Sequence, residues 1–260
     1  MGIVNITPDS FADGGLHATT ESALTHARQL LVDGADILDL GGESTRPGAL
    51  PVSEQQEFDR VLPLVQRLRA ECDGRGVPIS VDTRKPAVMH AAVAAGASMI
   101  NDVRALQAPG AIQLVADSAL PIAVCLMHMR GEPATMQQAA NYQDVVVDVI
   151  AFLRARAAAC VAAGISPERI VVDPGFGFGK TVEHNLELLR RLQEIVALGY
   201  PVLAGLSRKS TIGALTGRDV GERMAGSVAA ALAAMARGAA IVRVHDVRET
   251  VDALKIWRAI

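Results

Sequence analysis

The chain has 260 residues, half of them hydrophobic and 20% charged, with a net charge of −3. That is enough material for one large core, and a faintly acidic chain with no basic block argues against a nucleic-acid partner. No apolar run approaches the roughly 20 residues needed to span a bilayer, and 1-MGIVNITPDS-10 lacks the charged and apolar regions of a secretory signal.

Taken in chain order, short apolar runs ending in a polar residue alternate with helical stretches. The runs are Gly2–Asn5, Asp36–Leu40, Ile79–Asp82, Met99–Asp102, Ile122–Met127, Ile170–Asp173, Val202–Leu206 and Ile241–Val244, eight in all. Between them, Val61, Leu64, Val65 and Leu68 recur at helical spacing, as do Val146, Val149, Ile150 and Leu153. Ser53 sits where a helix N-cap is expected, and Gly164, Gly199 and Gly238 where helices should close. No linker or low-complexity tract divides the chain, so a single domain over residues 1–260 is expected. Short strands this apolar suit a parallel sheet covered on both faces. Eight strand–helix units predict an α/β fold of the (β/α)8 barrel type; an open doubly wound sheet is the alternative.

Cys72, Cys125 and Cys160 are scattered and form no C-x-x-C pair, so they read as small buried hydrophobes in a reducing cytoplasm. The stretch 173-DPGFGFGKT-181 looks like a phosphate loop but fails as one, because Pro174 stands where the first glycine should donate an N–H. It fails the dinucleotide pattern too, with Lys180 in the place of the third glycine.

A barrel places its active site at the C-terminal strand ends. Polar residues gather there: Asn5, Thr45 and Arg46, Asp82, Asn101 and Asp102, His128, Asp173, Arg208 and Lys209, then Arg243 and His245. Asp82, Asn101 and Asp173 suit a flat heterocycle offering adjacent N–H groups. Arg46, Lys209, Arg243 and His245 suit an anion, since arginine grips phosphate with a planar fork. The two sets together predict a nitrogen-rich ring joined to an anionic leaving group.

On these residues the chain resembles the dihydropteroate synthase family. The matching segments are 5-NITPDSFADGG-15, 41-GGESTRPGA-49, 80-SVDTRKP-86, 101-NDV-103, 126-LMHMRGEPATMQ-137, 173-DPGFGFGK-180, 206-LSRKS-210 and 243-RVHDV-247. The resemblance implies a (β/α)8 barrel, a cytoplasmic homodimer and magnesium. It implies condensation of 6-hydroxymethyl-7,8-dihydropterin pyrophosphate with 4-aminobenzoate, by loss of pyrophosphate before attack of the amine. It makes Asp82, Asn101, Met127, Asp173, Lys209 and Arg243 the pterin site. Asn5, Thr45, Arg46, Arg243 and His245 become the pyrophosphate site, with Asn5 as metal ligand. Thr45, Pro47, Phe178, Lys209 and Ser210 become the aminobenzoate site. Phe176 and Phe178 are expected to supply apolar surface near that second substrate.

The turn-rich segment 7-TPDSFADGG-15 reads as a flexible lid, with Asp9, Phe11 and Asp13 shielding a pterin cation. Asp13, Lys209, Arg243 and His245 are the catalytic candidates. His128 is expected to order a loop, and His17, His26, His90 and His184 to lie on the surface. Family members usually carry a further stretch upstream of the first strand, so the edges of that strand are expected to be less well determined. Three other readings stand beside the synthase. One is a pterin-binding methyltransferase domain, which has no reason to hold 44-STRPG-48, 207-SRKS-210 and 243-RVH-245. One is an aldolase with a Lys209 Schiff base, its pKa lowered by Arg208. The last is a pterin binder without catalysis.

Overall fold

The computed structural model describes residues 1–6, 15–44, 49–131, 136 and 140–260, without the side chains of 15–19. Among the described residues the strands are β1 (Gly2–Asn5), β2 (Leu38–Gly41), β3 (Ile79–Asp82), β4 (Met99–Asp102), β5 (Ala123–Met127), β6 (Ile170–Asp173), β7 (Leu203–Ala204) and β8 (Ile241–Val242). The helices are α1 (Gly15–Val32), α2 (Glu54–Arg75), α3 (Pro86–Ala95), α4 (Ala111–Ala116), α5 (Val145–Ala162), α6 (Val182–Arg190), α7 (Leu192–Val196), α8 (Ser210–Thr216), α9 (Met224–Met235) and α10 (Val247–Ala259).

Every strand pairing is parallel: β1 to β6 form one sheet in chain order, and β7 pairs with β8. Two bridges join these into a cylinder, Val172 with Val202 and Val244 with Gly2. The closing seam is hydrogen-bonded, with Ile3 donating to the Val244 carbonyl at 3.1 Å and Val244 to that of Met1 at 2.9 Å. The fold is a (β/α)8 barrel. Four runs are shorter than the sequence predicts, Ile122 standing just before β5. Asp36 and Ile37 form a bend before β2, while Val202, Gly205 and Leu206 fall outside β7 and Arg243 and Val244 outside β8. At Val202 and Val244 the ladder is a single bridge on each side of the seam, too little for a continuous strand.

The helix signals hold. Ser53 caps α2 and completes a reciprocal capping box with Gln56. Gly164, Gly199 and Gly238 take left-handed backbone (φ 100, 85 and 93) just beyond α5, α7 and α9. Val61, Leu64, Val65 and Leu68 are all fully buried in the main core between sheet and helices. A second, smaller core of Met1, Met99, Cys125, Val171 and Leu203 is distinct from it. The strand register identifies this cluster as the packed interior of the lower barrel, where a barrel fills with side chains. All three cysteines are buried and free.

Candidate active site

Strand register brings the first polar row together. Asn5 pairs with Gly41, Gly41 with Asp82, and Asp82 with Asn101. Residues directly opposite in a sheet point to the same face, so Asn5, Asp82 and Asn101 share one side of the cylinder. Met127 pairs with Asp173. It stands two residues beyond Cys125, the partner of Asn101, and so belongs to the same inner face.

Arg243 organises the cup. Its Nε donates to Asp39 at 2.6 Å and its Nη2 to Asp82 at 2.9 Å. Asp39, fully buried, also accepts from Ser80 at 2.6 Å and from the Asn101 amide at 3.3 Å. Three carboxylates and two cations thus meet where water is scarce: Asp39, Asp82 and Asp173 with Arg243 and Lys209. Burial pushes the Asp82 carboxyl upward, with Arg243 opposing. It raises Asp173 as well, against Lys209 and a 2.7 Å bond from the Gly175 N–H. Burial lowers the Lys209 ammonium to about 8, Asp173 working against that and Arg243 adding to it.

The loop after β6 faces Lys209. The Lys209 ammonium donates to the Phe176 carbonyl and stands 4.7 Å from the centre of the Phe178 ring. Across the cup, the Ser207 hydroxyl lies 2.9 Å from Nδ1 of His245 and accepts from the His245 N–H at 3.1 Å. Ser210, exposed, opens α8 directly after Lys209.

Asn5, Asp82, Asn101, Met127, Asp173, Phe178, Lys209, Ser210, Arg243 and His245 are thus gathered at one end of the barrel. Asp9, Phe11, Asp13, Thr45, Arg46, Pro47 and the side chain of His17 lie outside the described residues. Four expectations are corrected. Arg208 turns away from Lys209 and pairs through both nitrogens of its fork with Asp246; burial and Arg243, not Arg208, lower the lysine. The Phe176 ring is 1% exposed in the main core, so only its carbonyl reaches the site. His26 is half-buried, its Nε2 3.3 Å from the Ile3 carbonyl. His184 is also half-buried and joins Thr181 in a capping box. His128 does order a loop: it is buried, stacks edge-on to Phe152 and accepts from Lys180 at 2.9 Å.

Sequence reasoning passed over Asp39. A signal existed in 36-DILDL-40, where strand alternation turns Ile37 and Asp39 to the same face and so puts a charge where the barrel should be apolar. It also passed over Glu43, which accepts from Val52 N–H at 3.1 Å, Arg84 at 3.2 Å and Lys85 at 3.1 Å. Lys85 reaches the fully buried Glu57 of α2 as well, so the loop after β3 is tied both to the loop after β2 and to α2. An open depression of about 420 Å³ lies elsewhere, beside α4 and Arg156, and holds none of the cup's residues.

Residues 1–245 match the model of the pterin binding enzyme family. The chain belongs to the pterin-binding enzyme family. Its curated relatives include the dihydropteroate synthase of Neisseria meningitidis serogroup B, 57% identical over 100% of this chain and 92% of the relative. Two solved structures of the Xanthomonas albilineans dihydropteroate synthase also match. The one with 4-aminobenzoic acid is 55% identical with a TM-score of 0.93, covering 100% of this chain and 91% of that one. The one with 7,8-dihydropteroate is 53% identical with a TM-score of 0.89, covering 100% and 92%. For a pterin-binding enzyme the cup's composition makes chemical sense: carboxylates and an amide can pair with ring N–H groups, and the cations can face an anion.

Proposed function

We propose that this chain is a transferase of the dihydropteroate synthase type, one pterin-binding barrel over residues 1–260. It condenses 6-hydroxymethyl-7,8-dihydropterin pyrophosphate with 4-aminobenzoate to 7,8-dihydropteroate and pyrophosphate. The observation that carries the reading is the convergence of Asp82, Asn101 and Asp173 with Arg243 and Lys209 in one cup. Two structures of a relative, one with the second substrate and one with the product, support it.

In this reading Asp82, Asn101 and Asp173 hold the pterin edge by parallel hydrogen bonds, with Met127 as apolar wall and Lys209 as donor to the ring. Arg243, tethered through Nε and Nη2, faces the ring and keeps Nη1 for the leaving pyrophosphate. His245, Arg46, Thr45 and Asn5 complete the anion site. Thr45, Pro47, Phe178, Lys209 and Ser210 form the aminobenzoate site. An aryl amine is a weak nucleophile, so stabilising the departing charge matters most. The C–O bond to pyrophosphate breaks first, the electron-rich ring carries the methylene cation, and the neutral amine then attacks and loses a proton. Asp13, from the segment read as a lid, supplies negative charge near that cation. Lys209 near 8 is largely protonated at neutral pH and serves as a donor rather than a nucleophile.

For magnesium the chain offers the Asn5 amide, a hard neutral oxygen beside Gly41 at the mouth of β1. Among the described residues no group of three His, Cys, Asp or Glu gathers around it. Magnesium commonly takes few protein ligands and completes its shell with water and substrate phosphate. When bound it would neutralise charge on the pyrophosphate.

A homodimer in the cytoplasm completes the proposal. Among the described residues no helix is long and apolar enough to cross a membrane, and Leu215, Val220 and Met224 leave apolar surface exposed near α8 and α9. The test is pyrophosphate release with product identified by mass. Release that needs both substrates and yields 7,8-dihydropteroate supports the proposal; pterin binding without release leaves a non-catalytic binder and refutes it.

A further inference from the structure

The loop after β6 holds a second buried lysine that the reaction above does not use. Lys180 is 3% exposed. Its ammonium meets His128 Nδ1 and the Gly175 carbonyl at 2.9 Å, the Phe178 carbonyl at 3.0 Å and the His128 carbonyl at 3.4 Å. Gly175, Gly177 and Gly179 take left-handed backbone (φ 68, 81 and 63), a conformation open to glycine at no steric cost. Carbonyls converging on one point repel one another without a donor between them, and the Lys180 side-chain nitrogen supplies that donor from within the chain.

The outside of the same loop is tied by Asn185, which is 2% exposed. Its oxygen accepts from the Gly177 N–H at 2.7 Å, and its amide donates to the Thr181 carbonyl at 2.8 Å and the Thr211 hydroxyl at 3.0 Å. Thr211 stands in the first turn of α8, two residues after Lys209. One clamp therefore fixes the loop to the end of β5 and the other fixes it to the helix that follows Lys209. Between the clamps lie the Phe176 carbonyl and the Phe178 ring, both against the Lys209 ammonium.

We propose that Lys180 and Asn185 are positioning residues for the aryl-amine side of the cup: they set the Phe176–Phe178 turn against Lys209 and so govern affinity for the second substrate. This rests on the reading of Phe178, Lys209 and Ser210 as the aminobenzoate wall. Bonds that served only to hold the loop's own shape would end within the loop, whereas Asn185 reaches Thr211 on α8 and Lys180 reaches His128 at the end of β5. The pterin edge is carried by residues on β3, β4 and β6, whose positions follow from sheet register. Loosening the Phe176–Phe178 turn should therefore weigh far more on the second substrate than on the pterin, which keeps the strand-borne Asp82, Asn101 and Asp173.

Steady-state pyrophosphate release, with each substrate varied in turn, tests this in Lys180→Met and Asn185→Leu. The KM for 4-aminobenzoate should rise about tenfold or more, as expected for a contact surface displaced by an ångström. The KM for the pterin pyrophosphate should stay within about twofold of wild type. Equal rises in both constants, or unchanged constants with fewer active sites, overturn the proposal. Thr211→Val keeps the side-chain shape and deletes only the acceptor for Asn185, so it decides the matter if the other variants do not fold. An unchanged 4-aminobenzoate KM there overturns the clamp. Absence of turnover in the wild type would refute the enzymatic reading instead.

Discussion

Arg243 donates from Nη2 to the Asp82 carboxylate at 2.9 Å, across 161 positions of sequence. Asp39 takes the Nε of the same guanidinium, so Arg243 is held in one orientation by two acids. Its side chain is 20% exposed while that of Asp39 is wholly enclosed. A charge so placed is costly to leave unpaired, and each of these residues depends on the other.

Asp39→Leu should therefore destabilise the fold by about 3 kcal/mol or more, because it leaves a largely enclosed guanidinium with Asp82 alone and strips Ser80 and Asn101 of their acceptor. With Arg243→Met added, which also takes the guanidinium from Asp82, the combined loss should fall short of the sum, giving a coupling energy of about 2 kcal/mol in a urea-unfolding double-mutant cycle. Additive losses would show that Asp39 does not hold Arg243.

His128 should make stability depend on pH. Burial lowers its imidazole from 6.5 to about 3, with Lys180 contributing in the same direction. Between those values the unfolded chain binds a proton that the native state refuses, so stability falls as pH drops through that window and is fully present above it. His128→Asn keeps an acceptor for Lys180 and cannot titrate. The stability of wild type relative to this variant should decline by at most about 1.4 kcal/mol per pH unit on acidification. A difference that stays constant from neutral pH to pH 4 or so would count against the buried neutral histidine.

Two glycines with similar backbone should respond differently to alanine. A Cβ on Gly175 would stand 1.9 Å from the His128 carbonyl oxygen, whereas at Gly164 nothing lies within 4 Å. Both have positive φ, 68 and 100. Gly164→Ala should cost about 1–2 kcal/mol from backbone strain alone, and Gly175→Ala about 3 kcal/mol or more from strain plus collision. Thermal unfolding of the pair would reveal equal losses if the loop can move away from His128.

Chelation should abolish turnover, and added magnesium should restore it. Asn5→Ala should raise the magnesium concentration for half-maximal velocity by about tenfold, at unchanged 4-aminobenzoate KM. The same magnesium dependence in variant and wild type would remove Asn5 from the metal site.

The barrel and most of its cup were legible in the sequence because each follows from local pattern. A strand that ends in Asp82, Asn101 or Asp173 announces a polar group at the mouth, and eight such units match the length and repeat of a closed barrel. What the sequence by itself determined was the strand–helix alternation, the caps at Ser53 and Gly164, and which strand ends carry polar groups. The tertiary structure alone decided what those groups touch. Asp39 meets Arg243 across 204 positions, and Lys180 meets His128 across 52. It also sent Arg208 to Asp246 and Phe176 into the core. The reason is physical: periodicity reports which face a side chain is on, but a buried charge finds its partner only when strands from distant parts of the chain come into register.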